Sequence, residues 1–237
     1  MLQIMIQGRG GQGAQTAGNL LAMAFFAAGR QVQSFSSYGG ARRGTPVNSY
    51  IRIDDRPIRL RCDIDKADAI LCFDASLLEG KLLATASSDT LIVVNSAQTP
   101  EHFAQILPGY RVIPVDGLSI ARRNGLGRIV NSALLGAIAR AIAAPPLAVL
   151  NRVLTEEAPK LHDENIAACE EGYRCVDEQL GAHGRAPHLG PLPVIGEREQ
   201  ACASAVIMES GRFAPSPTSA GAGRGEGELN LAQRSLA

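Results

Sequence analysis

The sequence predicts a single α/β domain on a mostly parallel β-sheet, followed by an extended C-terminal arm. Three observations support this prediction. Short apolar runs alternate with amphipathic segments over residues 1–180, which is typical of strands alternating with helices. A glycine-rich turn joins the first predicted strand to the first predicted helix. Over residues 181–237, segments rich in glycine, proline and serine replace the apolar periodicity that a core requires.

The first half of the predicted domain begins with an apolar strand at residues 2–6, which leads directly into the turn. Residues 14–28 place leucine, alanine and phenylalanine on one helical face, and Gly29 is positioned to end that helix. A second strand is predicted at residues 31–35. Residues 46–53 alternate apolar and polar side chains, which indicates a strand with one packed face.

The rest of the domain continues the alternation. The turn at Asp54-Asp55 predicts that residues 56–61 pair back as a hairpin. Pro114 cannot donate a backbone hydrogen bond, so its strand should lie near a sheet edge. Asp163 is the expected N-cap of the last helix. The remaining strands are predicted at 69–73, 90–95 and 111–115, and the remaining helices at 76–86, 100–107, 119–123, 128–143, 147–157 and 163–180.

The composition excludes several classes of function. Lys plus Arg and Asp plus Glu each total 23 of 237 residues, so the formal net charge is zero and neither nucleic-acid nor membrane binding is indicated. Trp is absent and aromatic residues are few, which disfavours a base-stacking surface. No apolar run is long enough to span a bilayer, and no signal peptide is recognisable. We therefore expect a cytoplasmic protein.

The cysteines and histidines show no metal-binding or catalytic pattern. None of the five cysteines forms a C-x-x-C pair, and the four histidines are scattered. We therefore expect free or buried thiols, no metal site and no catalytic residue in this chain. The cysteines are Cys62, Cys72, Cys169, Cys175 and Cys202.

The glycine-rich turn is the strongest candidate for a binding site. Gly8, Gly10 and Gly13 fit G-x-G-x-x-G, and Gly11 adds a fourth glycine. Such turns let the backbone approach a phosphate at a helix N-terminus. Close packing of a strand against a helix is the alternative interpretation. An NAD site would also need an acidic residue near residues 34–38, where none occurs.

Other polar segments should lie beside this turn. The loop at residues 36–45, Asp74 and Asn95 each follow a predicted strand. Ligands of parallel sheets bind beyond the carboxyl ends of the strands, so these segments are expected to converge on one site.

Two of these segments together resemble a known family. Residues 8–13 (GRGGQG), followed by Ala17-Gly18, resemble the opening of the gamma subunit of 2-oxoacid (pyruvate/ketoisovalerate-type) oxidoreductases, which commonly reads G-x-G-G-Q-G. Residues 37–45 (SYGGARRGT) are similar to that family's second loop, S-Y-G-P-E-x-R-G-G, but lack its proline, its glutamate and its last glycine. Residues 128–137 resemble its asparagine-containing helix start. The resemblance covers about residues 1–180 and implies a Rossmann-like domain.

The resemblance implies a subunit of an enzyme that oxidatively decarboxylates a 2-oxoacid to an acyl-CoA. The substrate could be pyruvate, 2-oxoglutarate, a branched-chain 2-oxoacid or an aryl 2-oxoacid such as phenylglyoxylate. Thiamine diphosphate, Mg and 4Fe-4S clusters are expected on the alpha, beta and ferredoxin-like delta subunits, which pass electrons to ferredoxin or an NAD-linked acceptor. The gamma subunit is expected to contribute to coenzyme A binding and to assembly.

Several residues are expected to contact coenzyme A on this basis, and their alternatives stay open. Arg42 and Arg43 could pair with a partner subunit instead. Asn131 could cap its helix or touch the pantetheine. Asp74 is expected to cap the helix that follows it. A purely structural subunit and a stand-alone nucleotide-binding oxidoreductase are the alternative functions. The arm over residues 181–237 is expected to lie on partner subunits. The expected coenzyme A residues are Gly8, Gly10, Gly11, Gln12, Gly13, Ser37, Tyr38, Arg42, Arg43 and Asn131.

Overall fold

The structure, a computed structural model, describes residues 1–38, 44–158 and 160–182. Arg42, Arg43 and nearly all of the predicted arm lie outside these residues. The strands are β1 Leu2–Arg9, β2 Gln31–Tyr38, β3 Pro46–Asp54, β4 Ala69–Cys72, β5 Leu91–Asn95 and β6 Arg111–Val115. The helices are α1 Ala14–Ala27, α2 Gly80–Ala84, α3 Pro100–Ile106, α4 Gly117–Arg123, α5 Asn131–Ala141, α6 Leu147–Glu157 and α7 His162–Ala182.

The six strands form one sheet in the order β2-β3-β1-β4-β5-β6. Strands β1, β4, β5 and β6 are parallel, and β3 is antiparallel to both of its neighbours, β1 and β2. The prediction of a mostly parallel sheet is therefore confirmed. Pro114 lies on β6, the last strand in the order, as its missing N–H predicted.

The sheet has an apolar core on each face because successive side chains of a strand point to opposite sides. On β1, Ile4 and Ile6 join the core beneath α1 and α5, whereas Met5 joins the core on the opposite face with Tyr50 and Leu82. No helix of the described residues is long and apolar enough to cross a membrane.

Helices α5 and α7 touch through glycines, and this contact fixes the position of α5. A Cβ on Gly136 would lie 1.8 Å from the carbonyl oxygen of Cys169, and one on Gly172 would lie 2.0 Å from that of Ala133. The two backbones are thus closer than any larger residue would permit. The N-terminus of α5, at Asn131, is held at the carboxyl edge of the sheet as a result.

The predicted hairpin at residues 56–61 is wrong. Both edges of β3 are already paired, with β1 on one side and β2 on the other, so no edge is left for this segment. It leads instead to Cys62 and Asp63, whose carbonyl oxygens accept hydrogen bonds of 2.8 and 3.0 Å from the buried Arg52 side chain. The hairpin in this part of the chain is β2–β3.

Three other local predictions need correction. The helix predicted at residues 76–86 is a 3₁₀ turn, Ala75–Leu77, followed by the short α2, because Gly80 has a positive φ at the start of α2. Asp163 is not an N-cap, because α7 begins one residue earlier and Asp163 lies in its first turn. Strand β2 ends at Tyr38 rather than at residue 35.

Candidate functional site

The glycine-rich turn closes on itself at the end of β1. Gly11 and Gly13 have φ of +95° and +87°, which favour glycine. The backbone N–H of Gln12 donates to the carbonyl oxygen of Arg9 at 3.0 Å. In return, the N–H of Arg9 donates to Oε1 of Gln12 at 2.7 Å. These two hydrogen bonds between Arg9 and Gln12 stabilise the turn.

Gly8 serves close packing, as the alternative interpretation proposed. A Cβ on Gly8 would lie 3.0 Å from Cβ of Ala14 and 3.1 Å from Cβ of Phe73. The strand and the first turn of α1 therefore approach each other too closely for a side chain at Gly8. Packing explains this glycine, and it also brings the N-terminus of α1 over the end of β1.

The N-termini of α1 and α5 meet at this turn. Gly13, the N-cap of α1, and Val130, the N-cap of α5, form no side-chain capping hydrogen bond. Nδ2 of Asn131 lies 3.4 Å from the carbonyl oxygen of Gly13, and a Cβ on Gly13 would lie 2.5 Å from that nitrogen. The capping role predicted for Asn131 is therefore wrong, because its side chain reaches α1 instead.

This junction favours an anion. Helix N-termini carry a partial positive charge and N–H donors without an intrahelical partner, and the first residues of two helices are in contact here. Nearby α4 differs, because its N-cap Asp116 accepts a hydrogen bond from Ser119 N–H at 3.0 Å. Unlike α4, the two helices that meet at Gly13 have no capping side chain.

The predicted residues of the second loop separate in space. Ser37 pairs with Asn48, which in turn pairs with Gln7, on the sheet face opposite α1. Tyr38 shares a row with Gly8 through Val47, so it lies on the α1 face, about 10 Å from Gly8 across two strand spacings. Tyr38 is 56% exposed. The glycine turn, Asn131 and Tyr38 therefore share one face, whereas Ser37 does not.

The sequence prediction omitted Arg9, which joins three segments of the chain. Its side chain donates to Oδ2 of Asp74 at 2.8 Å, to Oγ of Ser76 at 2.9 Å and to the carbonyl oxygen of Gly44 at 3.4 Å. Its position in G-x-G-G-Q-G is the variable one, so the motif carried no signal for it.

Asp74 caps the 3₁₀ turn, as predicted. Its carboxylate accepts hydrogen bonds from the N–H and the hydroxyl of Ser76 at 3.1 and 2.6 Å. Partial burial alone would raise the pKa of Asp74, but the hydrogen bonds from Ser76 and Arg9 outweigh it and the pKa lies below its ordinary value. Asp74 is therefore an anion at neutral pH and holds Arg9 as its counter-ion.

Asn95 joins the other strand ends. Its Nδ2 donates to the carbonyl oxygen of Phe73 at 3.2 Å, and its Oδ1 accepts from the N–H of Gly117 at 3.0 Å. The loops after β4, β5 and β6 are thus fixed relative to one another. Asn95 has a structural role in this arrangement.

Two thiols of the described residues, Cys72 and Cys169, are buried. Burial raises the pKa of Cys72 to about 12 and also raises that of Cys169, so both are protonated at neutral pH. In the described ranges, no three His, Cys, Asp or Glu residues are grouped so that they could hold a metal ion.

Residues 3–175 match the family model for pyruvate ferredoxin/flavodoxin oxidoreductases. The chain belongs to this family. Its gamma-type character is clear from two relatives. It is 36% identical to the common gamma subunit of the pyruvate/ketoisovalerate oxidoreductases of Thermococcus kodakarensis, over 73% of this chain and 96% of the relative. It is also 36% identical to pyruvate synthase subunit PorC of Methanocaldococcus jannaschii, over 78% of this chain and all of the relative.

Solved structures of this oxidoreductase family have the same fold. A pyruvate oxidoreductase subunit, PorC, of Thermotoga maritima superimposes with a TM-score of 0.64 at 29% identity, covering 73% of this chain and 95% of that one. The 2-oxoglutarate:ferredoxin oxidoreductase of Magnetococcus marinus gives a TM-score of 0.63 at 21% identity, covering 75% of this chain and 31% of that one. The predicted resemblance to gamma subunits is therefore confirmed.

Proposed function

We propose that this gamma subunit binds the diphosphate of coenzyme A where the N-termini of α1 and α5 meet. The observation that carries the proposal is the pair of helix N-termini without capping side chains, joined by Asn131 and Gly13. A diphosphate is the part of coenzyme A that such N–H donors would recognise. Tyr38, on the same face, and Arg42 and Arg43, outside the described residues, are proposed to complete the site.

The proposed reaction is the oxidative decarboxylation of a 2-oxoacid to its acyl-CoA, carried out by the whole complex. The relatives named above are subunits of pyruvate and ketoisovalerate enzymes, which favours pyruvate or a branched-chain 2-oxoacid. One of them is described as common to two such enzymes, so we propose that the choice of substrate depends on other subunits. The solved 2-oxoglutarate enzyme of the same fold has coenzyme A bound.

Other subunits are proposed to carry the bond-breaking and redox chemistry. Thiamine diphosphate, Mg and 4Fe-4S clusters would be held by the alpha, beta and delta subunits, with ferredoxin or an NAD-linked protein as electron acceptor. This chain's own contribution is to bind and orient coenzyme A and to support assembly. We propose a cytoplasmic location for the complex.

The sheet order disfavours a stand-alone NAD enzyme. In a dinucleotide-binding fold, β2 lies next to β1 and its end carries the acidic residue for the ribose. Here β3 lies between β1 and β2, and β2 ends in Ser37 and Tyr38. In the described residues, β2 is therefore not adjacent to β1, and no acidic residue stands at the end of β2 to bind the ribose.

The substitution Gln12→Glu tests the proposal. The new carboxylate keeps the acceptor for Arg9 N–H and stabilises the α1 N-terminus, yet it repels a bound diphosphate. We expect the KM for coenzyme A in the whole complex to rise about tenfold, since one close like charge has an effect of that order. The thermal midpoint should stay equal or rise, and the KM for the 2-oxoacid should not change.

Asn19→Asp is the matched control, since it makes the same amide-to-carboxylate change at an exposed position in the second turn of α1. It should leave the KM for coenzyme A within about twofold. If Gln12→Glu also left that KM unchanged in an intact complex, the coenzyme A site would be excluded. The purely structural role would then be the better interpretation.

A further inference from the structure

We propose that Arg9 is a positioning residue for coenzyme A: it fixes the chain at Gly44 and Thr45, just before β3, against the glycine turn without touching the ligand. The proposal rests on the coenzyme A site proposed above. It concerns the one charged residue of the G-x-G-G-Q-G turn, whose presence beside a phosphate site would ordinarily indicate direct phosphate binding.

The direction of the Arg9 side chain argues against direct binding. Ile4, Ile6 and Gly8 face α1, and the Cβ position of Gly8 lies against Ala14. Because side chains alternate along a strand, Arg9 points to the other face, together with Met5 and Gln7. Its guanidinium is therefore separated by the sheet from the α1 N-terminus.

The contacts of Arg9 show what it does on that face. One guanidinium reaches Asp74 and Ser76 after β4, and the carbonyl oxygen of Gly44 before β3. A backbone hydrogen bond of 3.0 Å from Gly10 N–H to Thr45 O lies alongside. Two neighbouring contacts thus fix the point where the second loop rejoins the sheet, relative to the turn.

The charge of Arg9 is already neutralised. Asp74 lies 2.8 Å from Nε of Arg9, and both side chains are less than half exposed. A paired guanidinium attracts a diphosphate less than a free one does. Asp74 therefore keeps Arg9 directed at Ser76 and Gly44, and the pair acts as a connection between loops.

A double-mutant cycle in the whole complex tests this inference with the variants Arg9→Met, Asp74→Asn and the pair combined. Loss of either partner should raise the KM for coenzyme A about tenfold, with kcat and the KM for the 2-oxoacid changed less than about twofold. The double variant should be no worse than Arg9→Met alone, because both substitutions break one connection. Arg9→Lys, which cannot reach all three acceptors, should rescue only part of the effect.

Direct phosphate binding by Arg9 predicts the opposite pattern. Asp74→Asn would then release the guanidinium and lower the KM for coenzyme A, while Arg9→Met would raise it, and by a larger factor in the Asp74→Asn background than in the wild type. That result would overturn the inference. An unchanged KM together with unchanged amide exchange in peptides covering Gly10 would overturn it too.

Amide hydrogen exchange separates this inference from the proposed function. Arg9→Met should speed exchange at Gly10, whose N–H donates to Thr45, whether or not coenzyme A binds nearby. Suppose that exchange at Gly10 is faster in Arg9→Met, while the KM for coenzyme A is unaltered in Arg9→Met and in Gln12→Glu. That result would support the connection made by Arg9 and overturn the coenzyme A site. A raised KM in Gln12→Glu with no effect of Arg9→Met would overturn the connection and support the site.

Discussion

Single glycines decide how closely α1 approaches the sheet. Gly18, in the family-like stretch after the turn, faces Ser49 of β3, and a Cβ there would lie 2.0 Å from the Ser49 hydroxyl oxygen. That hydroxyl is buried and forms no hydrogen bond. The contact therefore depends on the small size of both residues rather than on a polar interaction.

Gly18→Ala should destabilise the subunit. The added methyl group would force α1 away from β3, and overpacking of this kind costs about 1–3 kcal/mol of unfolding free energy. Ser49→Ala should be neutral or slightly stabilising, because it removes a buried hydroxyl that has no partner. Denaturant unfolding of the purified subunit measures both, with the exposed Asn19→Ala as control. Equal stabilities of wild type and Gly18→Ala would contradict the close contact.

Residue roles were predictable where they depend on neighbours in sequence. The cap at Asp74 follows from local turn chemistry, and it was predicted. Arg9 and Asn131 were not, because their partners are distant in sequence. The predicted strand also ended at residue 6, whereas β1 continues to Arg9. Because side chains alternate along a strand, the direction of Arg9 can be inferred only when β1 is known to extend to that residue.

At the scale of elements, β3 is held from one face by the segment that follows it. Arg52 is 1% exposed and donates to Gln3 Oε1, Gln33 Oε1 and the carbonyl oxygens of Cys62 and Asp63. These acceptors are neutral, so the guanidinium is satisfied by hydrogen bonds rather than by an ion pair. It joins β1, β2 and the loop to β3.

Arg52→Met should release this loop. The substitution leaves two backbone carbonyl oxygens without their donor, and we expect a loss of about 2–3 kcal/mol in unfolding free energy. Arg59 and Arg61 are exposed, so limited trypsin digestion reports on the loop. Cleavage after these arginines should be faster in Arg52→Met than in wild type, with Arg52→Lys between them. An unchanged cleavage rate would show that Arg52 does not hold the loop.

Element boundaries and pairings were predicted unequally. The alternation over residues 46–53 located β3 well, because half-buried strands have a clear period of two. The same local signal could not show that β3 inserts between β1 and β2, which depends on long-range pairing. The hairpin predicted at residues 56–61 failed for that reason: the segment was assigned an edge that β2 already occupies.

At the scale of the whole molecule, the cores of the described residues and the family match end at about the same place. The two cores take residues from Leu2 to Leu180, and the family match ends at residue 175. The gamma subunit of Thermococcus kodakarensis is covered over 96% of its length by 73% of this chain. Most of residues 183–237 therefore has no counterpart in that relative. The prediction that they form an arm on partner subunits stays a prediction.

A chain truncated after Ala182 tests that prediction. Because the cores of the described residues lie within residues 2–180, we expect the truncated subunit to unfold at the same temperature as the full chain, within about 2 °C. The assembled complex should dissociate at a higher protein concentration, since contacts with partner subunits are lost. A variant with a Gly/Ser segment of equal length in place of residues 183–237 should behave like the truncation, because length alone provides no contacts. Size-exclusion chromatography over a dilution series measures dissociation. A truncated complex as stable as the wild type would exclude the arm from assembly, and a lower unfolding temperature of the isolated subunit would show that the segment supports its own domain.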